Sequence, residues 1–265
     1  MGEVNYSPLI DDMTWSYSRA KSYDDCPYGW YLRYIRKCRD GDRFFSAYGT
    51  FMHKLIERYY NGEITKDEML VIFLRDFKKE VRGVRPKEAT LKKFIDGAVS
   101  YLSSFEPFPY RMIAVEKRVE FDISGIKFIG YIDFLGKDDS DGGLVIIDNK
   151  SRDLKPRSSR KKPTLKDQEL DHMLRQLYLY SVAIEQEYGE LPKKLCFNCF
   201  RTGSFICEPF QMDAYESTKA WAIQQVEQIR NDSDFDPTPN PFFCFWICGV
   251  SENCEFSEAK WKASR

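Results

Sequence analysis

The chain has almost no net charge: 40 Lys and Arg against 41 Asp and Glu leave −1 at pH 7 over 265 residues. General attraction to a polyanion is therefore excluded, and any contact with nucleic acid must come from a local basic surface. No run of about 18 apolar residues occurs, so no membrane-spanning helix and no membrane partner are expected. The opening stretch MGEVNYSPLIDDMTW carries neither a basic region nor an apolar core of the kind found in secretory leaders. A soluble, cytoplasmic protein is the expectation. No internal repeat is visible, and no element built to read base edges stands out.

A hydrophobic content of 43% is enough for a substantial buried core, which argues against disorder of the whole chain. The length suits one large domain or one core with an appendage. Eight cysteines in a cytosolic chain point to metal or thiol chemistry more readily than to disulfides. Cys196 and Cys199 form a Cys-x-x-Cys in a strand-like run, where they point to opposite faces and read as structural.

The first 110 residues read as mainly helical. TWSYSRAKSYDDCPYGWYLRYIRK predicts a helix starting near Ser16 or Ser18, broken at Cys26-Pro27 and then resumed. SAYGTFMHKLIERYYNG predicts a helix ending at Gly62, with His53, Ile56, Glu57 and Tyr60 on one face; two more amphipathic helices follow. From Met112 the period changes to that of strands, giving a three-stranded meander over MIAVEKRVEFDI, GIKFIGYIDFLGK and GGLVIIDNKS. A long helix over DQELDHMLRQLYLYSVAIEQEYG, a hairpin over KKLCFNCFR and SFICEPFQM, and a helix to Asn231 complete a core spanning 111–232. The tail, 233–265, is rich in proline and cysteine and needs a tie to hold it.

Two strands of the meander deliver carboxylates to one end of the sheet: GYIDFLG carries Asp133, and LVIIDNK carries Asp148 and Lys150. Asp148 and Lys150 lie two apart on a strand and so face the same way, while Asn149 points away. Paired aspartates where buried strands emerge toward solvent can hold a divalent cation through hard oxygen ligands. A lysine beside them can orient an attacking water and offset charge on a phosphate. Phosphodiester hydrolysis is the chemistry implied. Directly after Lys150, the stretch to Lys166 is dense in basic residues, holds two prolines and lacks apolar periodicity. It reads as a mobile loop, and Arg152, Lys155, Arg157, Arg160, Lys161 and Lys162 are its candidates for contact with DNA.

The order of a helical His, a strand, strand-Asp, strand-Asp-x-Lys and a helix with Gln-x-x-x-Tyr resembles the RecB-like branch of the PD-(D/E)XK nucleases, which includes phage-type exonucleases and Cas4-type nucleases. The resemblance runs from about Trp15 to Cys254. It implies an α/β fold with a restriction-endonuclease-like core, a central mixed β-sheet flanked by helices. It nominates His53 of GTFMHKLIE, Asp133 and Asp148 as ligands of Mg2+ or Mn2+, with the Asn149 backbone carbonyl in a further position and Lys150 as the catalytic lysine. Asn149 departs from the family, where the middle residue is usually apolar, and the role of its side chain is left open. Gln176 and Tyr180 in RQLYLYS match the Gln-x-x-x-Tyr motif, one helical turn apart, and Glu116 in AVEKRVEF matches a glutamate common at that point.

In several relatives, one cysteine of an N-terminal Cys-Pro motif joins three near the C-terminus around a 4Fe-4S cluster. Cys26, Cys244, Cys248 and Cys254 occupy corresponding places, though three residues stand between Cys244 and Cys248 where the family has two. Zinc or simply buried thiols are the alternatives. The activity implied is a metal-dependent deoxyribonuclease, bacterial or phage-encoded, acting as an exonuclease on DNA ends or single strands. The alternative is a DNA-binding module working with a helicase, recombinase or Cas partner.

Overall fold

In a computed structural model, which describes residues 5–257, six helices precede the sheet: α1 (Ser7–Asp11), α2 (Tyr17–Asp25), α3 (Pro27–Tyr34), α4 (Phe44–Tyr60), α5 (Lys66–Glu80) and α6 (Glu88–Ser103). Local chemistry explains their ends. Ser16 caps α2 by accepting from the Arg19 amide at 3.1 Å, and extended backbone at Cys26 separates it from α3, which Pro27 opens. Thr65 and Glu68 cap α5 reciprocally. Of the six, α1 is absent from the sequence reading.

The strands β1 (Arg111–Ile123), β2 (Ile126–Lys137), β3 (Leu144–Asn149), β4 (Lys194–Cys199) and β5 (Ser204–Pro209) form a mixed sheet in that order. All neighbours are antiparallel except β3 and β4. Parallel neighbours need a crossover, here the segment after Lys150 and the helix α7 (Leu165–Tyr188). After β5 come α8 (Met212–Asn231), α9 (Pro241–Trp246) and a short 3-10 turn at Ser251–Asn253.

Alternation along β3 decides what each residue faces. Leu144 and Ile146 join the main core with Leu174 and Leu177 of α7, whereas Val145 and Ile147 join Phe108, Phe134 and Cys196 in another cluster. The helices α4 to α6 have their own apolar cluster, which takes in Phe200 from the β4–β5 turn. Continuing the period, Asp148 goes with Ile146 and Asn149 with Ile147.

Two expectations need correction. The segment 151–164 has no regular structure, yet it is pinned: Leu154 is buried in the main core, and the buried Asp167 carboxylate accepts from the amides of Ser158 at 2.7 Å and Thr164 at 2.6 Å. Cys196 is also not a free thiol; it is bonded to Cys207, its direct cross-strand partner in the β4–β5 register, at a Cα separation of 4.1 Å. The register brings together two cysteines that lie eleven residues apart, which composition could not indicate. Cys196 and Cys199 do enter different clusters, as their spacing requires.

The described part of the tail is tied to the first helices, while residues 258–265 lie outside the described residues. Arg43, at the start of α4, donates to the Cys248 carbonyl at 2.9 Å and to Ser251 Oγ at 2.7 Å. Gly41 donates to the Gly249 carbonyl at 2.9 Å, and the Phe45 and Trp246 rings meet edge to face.

Gly130 of β2 is a close approach: a Cβ there would lie 2.3 Å from Cε1 of Tyr180, so the ring on α7 sits against bare backbone. Gly130→Ala is expected to cost about 1–3 kcal/mol by overpacking, seen as a lower urea midpoint at unchanged slope. An unchanged midpoint would mean that the ring steps aside freely.

Candidate active site

The site lies where β3 ends against the middle of β2, beneath α4 and α7. His53 comes from the third turn of α4, and its Nδ1 is 3.3 Å from Asp133 Oδ2 on β2. Glu116 lies across from Asp133 on β1, between the pairs Val115↔Phe134 and Lys117↔Ile132. Ligand atoms of His53, Glu116 and Asp133 all lie within 4.8 Å of one another. Glu116 has φ of +45°, a left-handed conformation that costs a non-glycine residue about 1–3 kcal/mol and concentrates at functional sites.

Asp148 and Lys150 close the other side. Lys150 Nζ is 2.7 Å from Asp148 Oδ2 and donates to Gln176 Oε1 at 2.9 Å. Gln176 Nε2 in turn donates to the Tyr180 hydroxyl at 3.3 Å. Despite its closeness, the Lys150 ammonium is not aligned for a hydrogen bond with Asp148. That leaves Oδ2 buried and without a hydrogen-bond donor among the described residues.

The electrostatics are those of crowded acids. Burial pushes Glu116 from its ordinary 4.5 to about 7, with the charges of Asp133, Glu57 and Asp148 adding to the effect. Asp133 rises to about 6, through burial first and Asp148 second; His53 and the Asn149 amide oppose the rise. Such a set favours a cation. Two carboxylates and an imidazole within one ion's reach, beside a buried carboxylate oxygen lacking a donor, suit Mg2+ and suit Mn2+ better.

The side chain of Asn149, left open by the sequence, turns away from the acids. Its amide N–H donates to Asp133 Oδ2 at 2.6 Å, while its side-chain oxygen accepts from Asn198 Nδ2 at 2.7 Å. The same Asn198 Nδ2 donates to the Tyr101 hydroxyl at 2.7 Å, and the Asn198 carbonyl accepts from the Lys150 amide at 2.8 Å. β4 and α6 thus hold the backbone that positions Asp133 and Lys150. Sequence reading missed Asn198 and Tyr101, which carry no local signal. It placed Glu57 on the face of His53 without giving it a part in the site; Glu57 shares a cleft of about 490 Å3 with His53, Lys54 and Glu116 and lies one turn beyond His53.

The basic residues differ in their surroundings. Arg152 pairs with Glu169, Lys155 with Asp153, and Arg157 with both Asp171 and Glu208. Arg160, Lys161 and Lys162 are exposed. Away from this site, Cys26, Cys244, Cys248 and Cys254 are all buried. A Cβ on Gly29 would lie 3.7 Å from Cys26 Sγ and 3.9 Å from Cys248 Sγ. Among the described residues, no three of the four sulfurs lie within 4.8 Å of one another.

Comparison with known proteins agrees with this geometry. A search of curated proteins finds no match. Among solved structures, the crystal structure of a protein named "Putative exonuclease" from Eubacterium rectale shares 14% identity at a TM-score of 0.53, covering 89% of this chain and 88% of its own. At that identity it shows a shared fold. The crystal structure of SSO0001, 17% identical over 78% of this chain and 95% of its own, reaches a TM-score of only 0.31 and carries no argument. The family model of the PD-(D/E)XK nuclease superfamily matches residues 14–259, nearly the whole chain and every element of the site described above. The chain belongs to the PD-(D/E)XK nuclease superfamily.

Proposed function

We propose that this chain is a RecB-like, metal-dependent deoxyribonuclease that hydrolyses phosphodiester bonds at DNA ends or in single strands, as an exonuclease of recombination, repair or phage DNA metabolism. The observation that carries this reading is the meeting of His53, Glu116 and Asp133 within one ion's reach, beside the Asp148–Lys150 pair. Mg2+ or Mn2+ bound there supplies a more acidic water and offsets charge developing on the phosphate. His53, Asp133 and Glu116 serve as ligands, with Asp148 and the Asn149 carbonyl next to them. Lys150 offers its ammonium to the attacking water or to a phosphate oxygen. Gln176, held by Tyr180, aims that ammonium and thus acts as a positioning residue. The sequence offers no element built to read base edges, so strand form is expected to govern substrate choice. The alternative, a DNA-binding module inside a larger assembly with a helicase, recombinase or Cas partner, has to explain why all of these groups are intact.

We further propose that Cys26, Cys244, Cys248 and Cys254 hold a 4Fe-4S cluster. Support comes from four buried cysteines drawn from both ends of the chain, with Cys26 and Cys248 both near Gly29. Such a site would restrain a tail with little apolar periodicity.

Four outcomes follow. With Mg2+ or Mn2+, Lys150→Ala and Asp133→Ala should each lower cleavage of end-labelled linear DNA by about 10²-fold or more, with closed circles resisting the wild type; activity persisting in both variants would remove the assignment. Because Glu116 and Asp133 titrate near 7 and 6, protons compete with the metal below those values. Mn2+ affinity measured calorimetrically should therefore rise from pH 5.5 to pH 8, and Glu116→Gln should remove the upper step. These raised carboxyls also mean that the metal-free protein loses stability as pH climbs from the ordinary carboxyl range toward about 7, and bound Mn2+ should restore it. Finally, protein purified without oxygen should be coloured, and Cys248→Ser should abolish the colour; a colourless preparation with stoichiometric zinc would rule the cluster out.

A further inference from the structure

We propose that Arg160, Lys161 and Lys162 form a preorganised subsite for the DNA phosphodiester backbone, set about four nucleotides from the scissile bond. The proposal rests on the nuclease reading above and divides a basic stretch that the sequence presents as uniform. Between Lys150 and Lys166 the chain carries eight cations, and five of them already have acids. Lys150 lies 2.7 Å from Asp148, Arg152 3.3 Å from Glu169, Lys155 3.0 Å from Asp153, and Lys166 2.7 Å from Glu169. Arg157 is held twice, by Asp171 at 2.7 Å and Glu208 at 2.8 Å, so it braces the segment against α7 and β5. Arg160, Lys161 and Lys162 have no ion pair or hydrogen bond among the described residues, and all three are exposed. In a chain of net charge −1, the unbalanced positive charge of this segment is thus gathered on three consecutive residues.

The tip that carries them is closed at its base. One buried carboxylate, Asp167, accepts four hydrogen bonds from the two flanks: Ser158 N and Oγ, both at 2.7 Å, Thr164 N at 2.6 Å and Thr164 Oγ1 at 2.8 Å. Burial of Leu154 anchors the approach from Lys150. Residues 159–163 therefore form a short projection between two fixed ends. Tethering of this kind lowers the ordering cost of binding, which a free basic loop would meet in full. Thr164 and Asp167 form the capping box that starts α7, and the two Ser158 bonds extend that cap across the base of the projection.

Geometry also sets the reach. Asp167 and Gln176 are nine residues apart on α7, or about 14 Å along its axis at about 1.5 Å per residue. Gln176 touches Lys150, so the tip is displaced from the reacting phosphate by about four steps of a DNA strand at about 3.4 Å per nucleotide. Three cations there would track the backbone without regard to sequence, which suits an enzyme with no base-reading element.

The test is the salt dependence of DNA binding by the full chain, with divalent metal chelated, for wild type, the triple variant Arg160→Gln/Lys161→Gln/Lys162→Gln, and Arg157→Gln. Three lost phosphate contacts should make the slope of log affinity against log salt shallower by about 2 for single strands and about 2.7 for duplex. The affinity lost between 50 and 200 mM salt then shrinks by a factor of about 20 to 40. Arg157→Gln should lower thermal stability and leave the slope unchanged. In metal, the triple variant should raise KM on long substrates while matching wild type on oligonucleotides too short to span the four steps. An unchanged slope in the triple variant, or an equal loss on short and long substrates, overturns the subsite. Wild-type protein that binds no DNA at all overturns the nuclease reading beneath it.

Discussion

Everything at the centre of this protein depends on forcing acids together in a buried place. Glu116, Asp133 and Asp148 come from three adjacent strands, and burial opposes the ionisation of the first two before their neighbours add to it. Left alone, such a group would take up protons or drive the strand ends apart. The fold prevents the second outcome. Asp133 is held by the Asn149 amide and stands beside His53, and Asp148 stands beside Lys150. What remains is an excess of negative charge that a divalent cation would relieve, and the left-handed backbone of Glu116 shows that strain is tolerated there to keep its carboxylate in place.

Holding the acids in register is the task of β4, although β4 supplies no reacting group. The parallel pairing of β3 with β4 sets Asn149 opposite Asn198, and Asn198 then bonds both the Asn149 side chain and Tyr101 of α6. A buried polar network of this kind is useful only when fully satisfied, since one missing partner leaves a stranded amide. The unusual Asn149 is therefore understandable: a polar middle residue is affordable here because β4 and α6 answer it. On the other face, α7 connects Lys150 to Gln176 and Tyr180, and bare backbone at Gly130 lets the tyrosine ring come close.

The ends of the chain bear on the same site from a distance. Arg43, Gly41 and Phe45, at the start of α4, are bound by the tail segment around Cys248, and α4 also carries His53. These contacts, which keep the tail in place, thereby also keep the helix of a proposed metal ligand in place. The crossover segment plays a comparable part, with Asp167 and Arg157 turning what looks like a loose basic loop into a braced one.

Much of this was already legible along the chain. Period-two and period-3.6 patterns marked the strands and nearly all the helices, and the offset of two between Asp148 and Lys150 was enough to put them on one face, with Asn149 turned away. His53, Gln176 and Tyr180 could be nominated because helix spacing and motif order are local properties. What local order could not carry was pairing across long stretches of chain. The Cys196–Cys207 bond, the answer of Asn198 and Tyr101 to Asn149, the entry of Glu57 into the cleft and the division of the basic segment into neutralised and free cations all arise from contacts between distant residues. The sequence by itself determined which chemistry-bearing residues exist and which way each faces on its own element. Only the tertiary structure decided which of them meet and which charges stay uncompensated, because strand order, register and the packing of α4 and α7 are set by burial over the whole chain.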